Sequence, residues 1–472
     1  MKRQDIDDAI TLAGLPIPDS DIEIFGEDPV FYGPFHLAEG AAVTQVLIGS
    51  QVDQIWREQG YAAQQIKVDV RHAAASLSSA QFLSVPEMPV RDTLGENLRR
   101  IYKCADGRYF QLHSNFGDTH DLAALLGVST HASVQEIASV MSVRNSFELE
   151  DLLIEKNMTG GVVRTTKEWA AHAQGKILSN KPVVELTKIG DSPPESIEPG
   201  SRPLSNLRVL DLTRVLAGPT CARSLAEHGA DVFHVASPHL PTVEVFEMDT
   251  GHGKRQIHID LNDSGQADLL RNLAKTTDVF NQGFRKGALD KRGFGPDDMA
   301  KLRPGVIYVS ENCYGHEGPW ANRPGYEQYS QIISGLADLQ GKMAPLEPND
   351  DTRIALGDDP QAPRLVGAAV NDYTTAYFAA YGVLEALRRR ATEGGSWHVQ
   401  VSLTQTSMWF QKLGLIESVA PDNKLGNVSE FLESHDTPYG EMTHLAPSLQ
   451  MSETRPYWAF GSRPLGSDSP EW

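Results

Sequence analysis

An aspartate at the start of a long predicted helix is the residue best suited to chemistry in this sequence. Asp372 follows small residues and opens an alanine-rich segment in which Tyr373, Tyr377 and Tyr381 recur at helical spacing. A carboxylate here accepts backbone N–H bonds and feels the positive end of the helix dipole, so we expect it to be ionised near neutral pH. The spacing alone favours a helix cap, but the same environment suits a nucleophile that attacks a carbonyl carbon.

A short basic loop is the second candidate, because the chain as a whole carries a formal net charge of −20. The loop spans residues 282–295 and contains four cations between glycines: Arg285, Lys286, Lys291 and Arg292. One interpretation is a solvated surface loop. The other is a clamp for phosphate groups, with Phe284 as an apolar support for a base.

Composition limits the function classes. The 472 residues include 40% hydrophobic and 22% charged residues, which is typical of a globular protein of two to four domains. The negative charge argues against nucleic acid and anionic membranes as partners. Cys104, Cys221 and Cys313 lie far apart, which predicts neither disulfides nor a metal site and favours the cytoplasm. We find no signal peptide and no apolar window long enough for a membrane helix.

The elements that must position these residues alternate between strand and helix from residue 207 onward, which predicts a Rossmann-like parallel sheet in an α/β large domain. The first turn lacks GxGxxG, so a nicotinamide enzyme is not expected. A hairpin at Asp106-Gly107, followed by helices, predicts a small α+β domain. The predicted domains are a partial first segment (1–92), the small domain (93–185), a Pro- and Ser-rich linker (186–206), the large domain (207–420) and a C-terminal return segment (421–472).

A faint internal repeat relates the two ends of the chain. Residues 44–70 can be laid without gaps on residues 375–401, helix on helix and strand on strand. In that register Ala41 faces Asp372, whereas matching the two Gly-Ala-Ala-Val tetrapeptides brings Gln45 opposite it. Neither residue is an acid, so we expect the first copy to have no nucleophile.

Several motifs in order resemble the class III CoA-transferase family, which includes formyl-CoA transferase and carnitine CoA-transferase, with α-methylacyl-CoA racemase as a relative. They are LRVLDLTRVLAGPTCARSLAEHGADV, DVFNQGFRKGALDKRGFGPDDMAKLRPGVIYVSENCYGHEGPW and RPGYEQYSQIISGL. The segment YKCADGRYFQLHSN is similar to the small domain of that family, which normally follows the first part of the large domain. The resemblance therefore implies a rearranged, partly duplicated chain.

The resemblance also implies roles for individual residues. Asp372 is the catalytic nucleophile, and Tyr326 and Glu327 match the Tyr–acid pair near the acyl site. Two segments would contact coenzyme A: the turn at Val215, Leu216 and Ala217, and the loop at Gly283, Phe284, Arg285, Ala288, Lys291 and Arg292. Leu216 departs from the family, because it replaces a glutamine of formyl-CoA transferase. Coenzyme A would be a substrate, with no metal and no separate cofactor.

The resemblance implies a CoA-transferase that moves CoA from an acyl-CoA to a carboxylic acid through an aspartyl anhydride and an aspartyl-CoA thioester, which is covalent catalysis by a carboxylate. Two alternatives stay open at this point: an acyl-CoA racemase or isomerase on the same fold, and an inactive acyl-CoA-binding homologue. Family members form interlocked homodimers, so we expect either a homodimer or a pseudo-dimer within one chain.

Overall fold

A computed structural model describes residues 1–89, 93–114, 118–344, 351–417, 419 and 424–472, with no description of the side chains of residues 351 and 352. Two predicted domain boundaries, 92/93 and 420/421, therefore touch residues outside the described ranges. The strands are β1 (Asp21–Phe25), β2 (Gln65–Asp69), β3 (Ile101–Lys103), β4 (Tyr109–Leu112), β5 (Gly160–Val162), β6 (Val184–Gly190), β7 (Arg208–Leu212), β8 (Asp231–Ala236), β9 (Lys254–His258), β10 (Val279–Gln282), β11 (Ile307–Asn312), β12 (Ser396–Ser402), β13 (Leu432–Thr437), β14 (Gly440–Leu445) and β15 (Leu449–Met451).

The helices surround these strands. They are α1 (Arg3–Leu12), α2 (Leu37–Glu58), α3 (Val70–Ser76), α4 (Thr119–Leu126), α5 (Val134–Met141), α6 (Ser146–Glu155), α7 (Thr166–Ala171), α8 (Ala173–Ser179), α9 (Ala217–Ala226), α10 (Glu244–Thr250), α11 (Ser264–Ala274), α12 (Pro296–Leu302), α13 (Glu327–Ser334), α14 (Leu336–Met343), α15 (Val370–Glu393) and α16 (Leu403–Lys412). Within the described ranges, none of them combines the length and apolarity that crossing a bilayer requires.

A seven-stranded sheet with the order β6-β12-β11-β10-β7-β8-β9 forms the large domain. All its neighbouring strands are parallel except β6, which pairs antiparallel with β12 at one edge. Val209 and Leu210 point to opposite faces of β7 and both are fully buried, as expected for a sheet covered by helices on both sides. The predicted α/β fold with a Rossmann-like sheet is confirmed.

Strand β6 differs from the sequence-based prediction. Residues 186–190 were expected to begin the linker, but they belong to a strand whose Leu186 pairs with Val399 of β12. Composition did not reveal this strand because it lies at a sheet edge, where only one neighbour contributes hydrogen bonds and exposed polar residues are common. The assignment of the five segments as domains stays a prediction.

Three smaller sheets lie in the described residues, and one of them is the two-stranded hairpin of β13 and β14. Strands β3, β4 and β5 form an antiparallel sheet that packs with α4, α5 and α6 around its own core, which includes Tyr102, Phe110 and Leu112. This is the small α+β unit expected from the hairpin. A second three-stranded sheet has the order β1-β2-β15, and its helix α2 packs along α15 of the large domain.

Candidate active site

Asp372 is the third residue of α15, whose first turn lies at the edge of the large sheet where the parallel strands end. This position follows because α15 leads directly into β12 and packs along it, so the helix runs opposite to the strand and starts at the edge where the parallel strands end. Asp372 is half-buried. No hydrogen bond reaches its carboxylate from the residues that the structure describes, so the group remains available to a ligand.

Glu327, rather than Asp372, accepts the N–H groups at the start of α15. Its Oε1 accepts the Asn371 N–H at 3.2 Å, and its Oε2 accepts the Asp372 N–H at 3.0 Å. The side-chain amide of Gln331 also donates to Oε1, at 2.6 Å. A carboxylate from one helix therefore caps another, which satisfies donors that the helix itself leaves open. The Asn371 and Asp372 N–H groups are therefore bonded to Glu327 and are not free to stabilise a reaction oxyanion.

The two carboxyl groups oppose each other's ionisation. Burial raises the pKa of Glu327 to about 7, although its hydrogen bonds from Gln331 and the helix start work in the opposite direction. Burial and the nearby carboxylates of Glu327 and Glu311 raise the pKa of Asp372 well above its usual range. Burial and the neighbouring carboxylates therefore work against the ionised Asp372 that the helix start by itself favours. The helix dipole is too weak to offset burial once Glu327 takes the N–H donors.

Tyr326 and a buried histidine line the same corner. Tyr326 immediately precedes Glu327 and is half-buried at the start of α13. The His113 ring from the small α+β unit lies 5.7 Å from the Tyr326 ring, and burial lowers the pKa of His113 to about 4, so its imidazole is neutral. Sequence reasoning missed His113 because only the folded chain brings the small unit to this corner.

The turn between β7 and α9 offers a ligand mainly backbone atoms, because most of its side chains are buried. Val215 has φ +72°, a strained conformation for a β-branched residue and one that clusters at functional sites. Leu216 and Ala217 are each 4% exposed and pack into the core. Of the three residues predicted in this turn, only Val215 lies partly at the surface, so contacts with a ligand from the other two would have to come from their main chain.

A buried charge network holds this turn in place. Asp211 at the end of β7 is fully buried and binds the Lys254 ammonium at 2.8 Å. Lys254 also donates to the Pro219 carbonyl at 2.6 Å, and the Asn281 amide donates to the Gly218 carbonyl at 3.0 Å. Burial opposes ionisation of Asp211, but the Lys254 ammonium outweighs it and lowers the pKa of Asp211. Charged residues inside apolar strands were the sequence signal for this network, since a buried charge needs a partner.

The predicted basic loop follows β10, the neighbour of β7, and so lies beside the turn. A Cβ placed on Gly283 would lie 3.9 Å from Thr213 Cγ2. In the sheet order the chain departs in opposite directions from β7 and β10, and crevices at such switch points bind ligands in open α/β sheets. The loop and the turn therefore flank the crevice expected for a ligand.

The loop cations differ in their partners. Arg285 donates to Asn157 Oδ1 at 2.6 Å. Arg292 donates to the Leu261 carbonyl at 2.5 Å and to Asn262 Oδ1 at 2.9 Å. Lys291 is exposed, and its side-chain ammonium has no hydrogen bond or ion pair within the described part of the chain. Lys291 is thus the loop cation most available to an anionic ligand. Phe284 and Ala288 of the same loop are half-buried.

The fold and site together define an α/β protein with a carboxylate pair and a basic switch-point crevice at one edge of a parallel sheet. Residues 204–440 match the model of CoA-transferase family III. The chain is 32% identical over 378 residues to an acetyl-coenzyme A transferase of Hypoxylon pulicicidum, covering 75% of this chain and 60% of that protein. It is 30% identical over 431 residues to an acyl-CoA transferase of Gibberella moniliformis, covering 82% and 73%. The chain belongs to CoA-transferase family III, as its motifs predicted.

Other similar proteins match a shorter part. A succinyl-CoA:glutarate CoA-transferase of Mus musculus is 29% identical over 46% of this chain and 48% of its own length. The solved structure of a CAIB/BAIF family protein from Brucella suis is 27% identical, covers 51% of this chain and 65% of that one, and has a TM-score of 0.39. The chain therefore spans about half the length of the succinyl-CoA transferase and 60% of the Hypoxylon protein.

Proposed function

We propose that this protein transfers coenzyme A from an acyl-CoA thioester to a carboxylic acid, with Asp372 as the nucleophile. The observation that carries the proposal is the unbonded Asp372 carboxylate beside Glu327. The names of the relatives, which are acetyl-, acyl- and succinyl-CoA transferases, support the same chemistry. We infer that the substrates are an acyl-CoA and a small carboxylic acid, with no resident cofactor.

The reaction requires Asp372 to be ionised, and Glu327 can make it so. The pair shares one proton near neutral pH, because two adjacent buried carboxyl groups do not both ionise. When Glu327 carries that proton, Asp372 is the anion. Glu327 therefore sets the fraction of nucleophile that is active, while its position fixes the first turn of α15.

The transfer proceeds in four balanced steps. The Asp372 oxygen attacks the thioester carbonyl, the C–S bond breaks, and the CoA thiolate leaves with the electron pair, which gives a mixed anhydride. The thiolate then attacks the aspartyl carbonyl and releases the first carboxylate, leaving an aspartyl-CoA thioester. The acceptor carboxylate attacks that thioester and frees the thiolate again. Attack of the thiolate on the new acyl carbonyl yields the new acyl-CoA and restores the Asp372 carboxylate.

Binding of CoA is assigned to the crevice between the Val215 turn and the loop of residues 283–292. The Lys291 ammonium would pair with phosphate oxygens as a single charge, and the Arg292 guanidinium would donate two parallel hydrogen bonds to them. Phe284 would support the adenine. Backbone atoms of the turn would follow the pantetheine arm, since the side chains of Leu216 and Ala217 are buried. Tyr326 would face the acyl group.

Trapping the acylated enzyme tests the proposal. The protein is incubated with acetyl-CoA or succinyl-CoA in the presence of hydroxylamine, and the peptides are analysed by mass spectrometry. We expect a hydroxamate on Asp372, because both intermediates are activated acyl derivatives of its side chain. The exposed Asp268 of α11 is the matched internal control and should stay unmodified. Modification of another carboxylate, or of none during turnover, would contradict the proposal.

A further inference from the structure

Three ligating side chains meet on one face of the hairpin formed by β13 and β14. Glu433 lies directly across from His444 in the strand register, and His435 follows Glu433 by two residues. Residues two apart on a strand, together with the residue opposite, share one face of the sheet. Ligand atoms of these three residues all lie within 4.8 Å of one another.

The two imidazoles are already oriented toward a common point. His435 Nδ1 and His444 Nε2 are 2.8 Å apart, and the ring planes differ by 10°. His444 Nδ1 donates to the Leu445 carbonyl at 3.0 Å, which leaves the Nε2 lone pair facing the cluster. A backbone carbonyl that fixes the tautomer in this way is typical of metal-ligating histidines.

Two polar groups beside the imidazoles lack partners. Glu433 Oε1 is buried, and no described residue donates a hydrogen bond to it. His252, in the turn after α10, is 0% exposed, and neither of its ring nitrogens bonds to the described part of the chain. Its ring lies 3.9 Å from that of His444. Buried polar atoms without partners are rare and destabilising, so we expect a bound ligand at this cluster.

We propose that Glu433, His435 and His444 bind a divalent transition-metal ion of the Zn²⁺ type. Two imidazoles and one carboxylate form a ligand set that suits this ion and leaves one position open. Zinc–nitrogen bonds of about 2.0–2.1 Å require the two ring nitrogens to move apart by about half an ångström. His435 then carries its proton on Nε2, so the imidazoles release none. This site revises the sequence-based expectation of no metal, which did not consider these two histidines.

The metal would stabilise the fold of the hairpin and would take no part in CoA transfer. It would join β13 to β14, since all three ligands lie on this hairpin, and it would fix the His444 ring that lies 3.9 Å from the His252 ring. Glu433 and His435 are half-buried and leave an entry path from solvent, while His444 is buried.

Metal binding by the untagged, full-length protein tests this proposal. The protein is dialysed against a chelator and titrated with ZnCl₂ by calorimetry, with metal content measured by mass spectrometry. We expect about one Zn²⁺ per chain, a rise in Tm with added Zn²⁺ and, with Co²⁺ instead, visible absorption bands from nitrogen ligation. The variants His435→Gln and Glu433→Gln should each bind at least about 10-fold more weakly.

The control variant is His131→Gln, which removes an exposed histidine of the small unit and should leave the binding unchanged. CoA transfer by both ligand variants should stay at the wild-type level, which reports that they fold. The proposal is wrong if the wild-type protein binds no stoichiometric Zn²⁺, or if both variants retain wild-type affinity.

Discussion

Two units of this chain have the same topology but different helix starts. The α15 unit consists of β11, α15, β12 and β6, and the α2 unit consists of β1, α2, β2 and β15. In each, a helix precedes a strand that has a parallel neighbour on one side and an antiparallel neighbour on the other. The ungapped register predicted from sequence lays Gln65 on Ser396, which are the first residues of β2 and β12. The two helices pack against each other.

A carboxylate from outside the helix caps both starts. In the α2 unit Asp28 accepts the Glu39 N–H at 2.9 Å, as Glu327 accepts that of Asp372 in the α15 unit. Glu39 is the third residue of α2, as Asp372 is of α15. The ungapped register places Ala41 opposite Asp372, while the start of α2 has Glu39 in the equivalent third position. The expectation that the first copy has no nucleophile stays a prediction.

What distinguishes the two acids is their partners. Glu39 Oε2 lies 2.6 Å from His36 Nδ1, and this hydrogen bond raises the pKa of His36 above its usual value. Asp372 has no such cation among the described residues. A carboxylate that is bonded to an imidazole contributes to the stability of the fold. A carboxylate without such a partner keeps its lone pairs available for attack on a substrate.

The largest expected effect separates these two acids directly. Asp372→Asn should reduce the transfer rate at least about 1,000-fold, because it removes the nucleophile. Glu39→Gln should stay within about twofold of wild type, since its carboxylate acts only within the fold. Initial rates with a panel of acyl-CoA donors and carboxylic acid acceptors measure both. Equal losses in the two variants would mean that the units do not differ as we infer.

Glu327→Gln should have the next largest effect. The rate should fall about 100-fold, because Gln has a single acceptor oxygen for the two N–H groups that Glu327 accepts at the start of α15, so Asp372 is displaced. In the wild type, activity should rise with pH through about 7, because the raised pKa values keep the nucleophile protonated below that pH. Removing one carboxylate lowers the pKa of Asp372, so the acid limb should move to lower pH. A pH–rate profile with an unmoved limb would show that the pair does not share its proton.

Lys291→Ala tests the crevice, which the α2 unit lacks because its sheet has no counterparts of β7 and β10 in the described residues. We expect the KM for acyl-CoA to rise about 5-fold with kcat unchanged, as for the loss of one phosphate contact of about 1 kcal/mol. The exposed Lys275 at the end of α11 provides the control variant, Lys275→Ala. Equal KM values for the two variants would place the phosphates elsewhere.

Asp28→Asn should have the smallest effect. It leaves one of the two backbone N–H groups at this corner, those of Val30 and Glu39, without its carboxylate acceptor. We expect the free energy of unfolding to fall by about 1 kcal/mol, with the transfer rate unchanged. Urea unfolding followed by circular dichroism measures the first quantity. A large loss of activity would instead assign the α2 start a part in the reaction.

Local patterns determined much of this protein. The alternation of apolar strands and helices after residue 207 specified a parallel sheet, because each element has its own periodicity. Ordered motifs specified the family, and small residues before Asp372 specified a helix start with an acid in its first turn. These features depend on neighbours within a few residues, so the sequence contains them directly. The edge strand β6 was not predicted from the sequence, because only its pairing with β12 defines it as a strand.

Only the tertiary structure determined the contacts and the pKa of the Asp372 carboxyl group. Glu327 comes from another helix, His113 from another domain and the Asp211–Lys254 pair from two strands, and none of these contacts has a local sequence signal. The pKa of a carboxyl group depends on its distance from charges and from water, and both are set by folding. The sequence therefore determined that an acid lies in the first turn of the helix, while the packing around Asp372 left its carboxyl group without a hydrogen bond and raised its pKa.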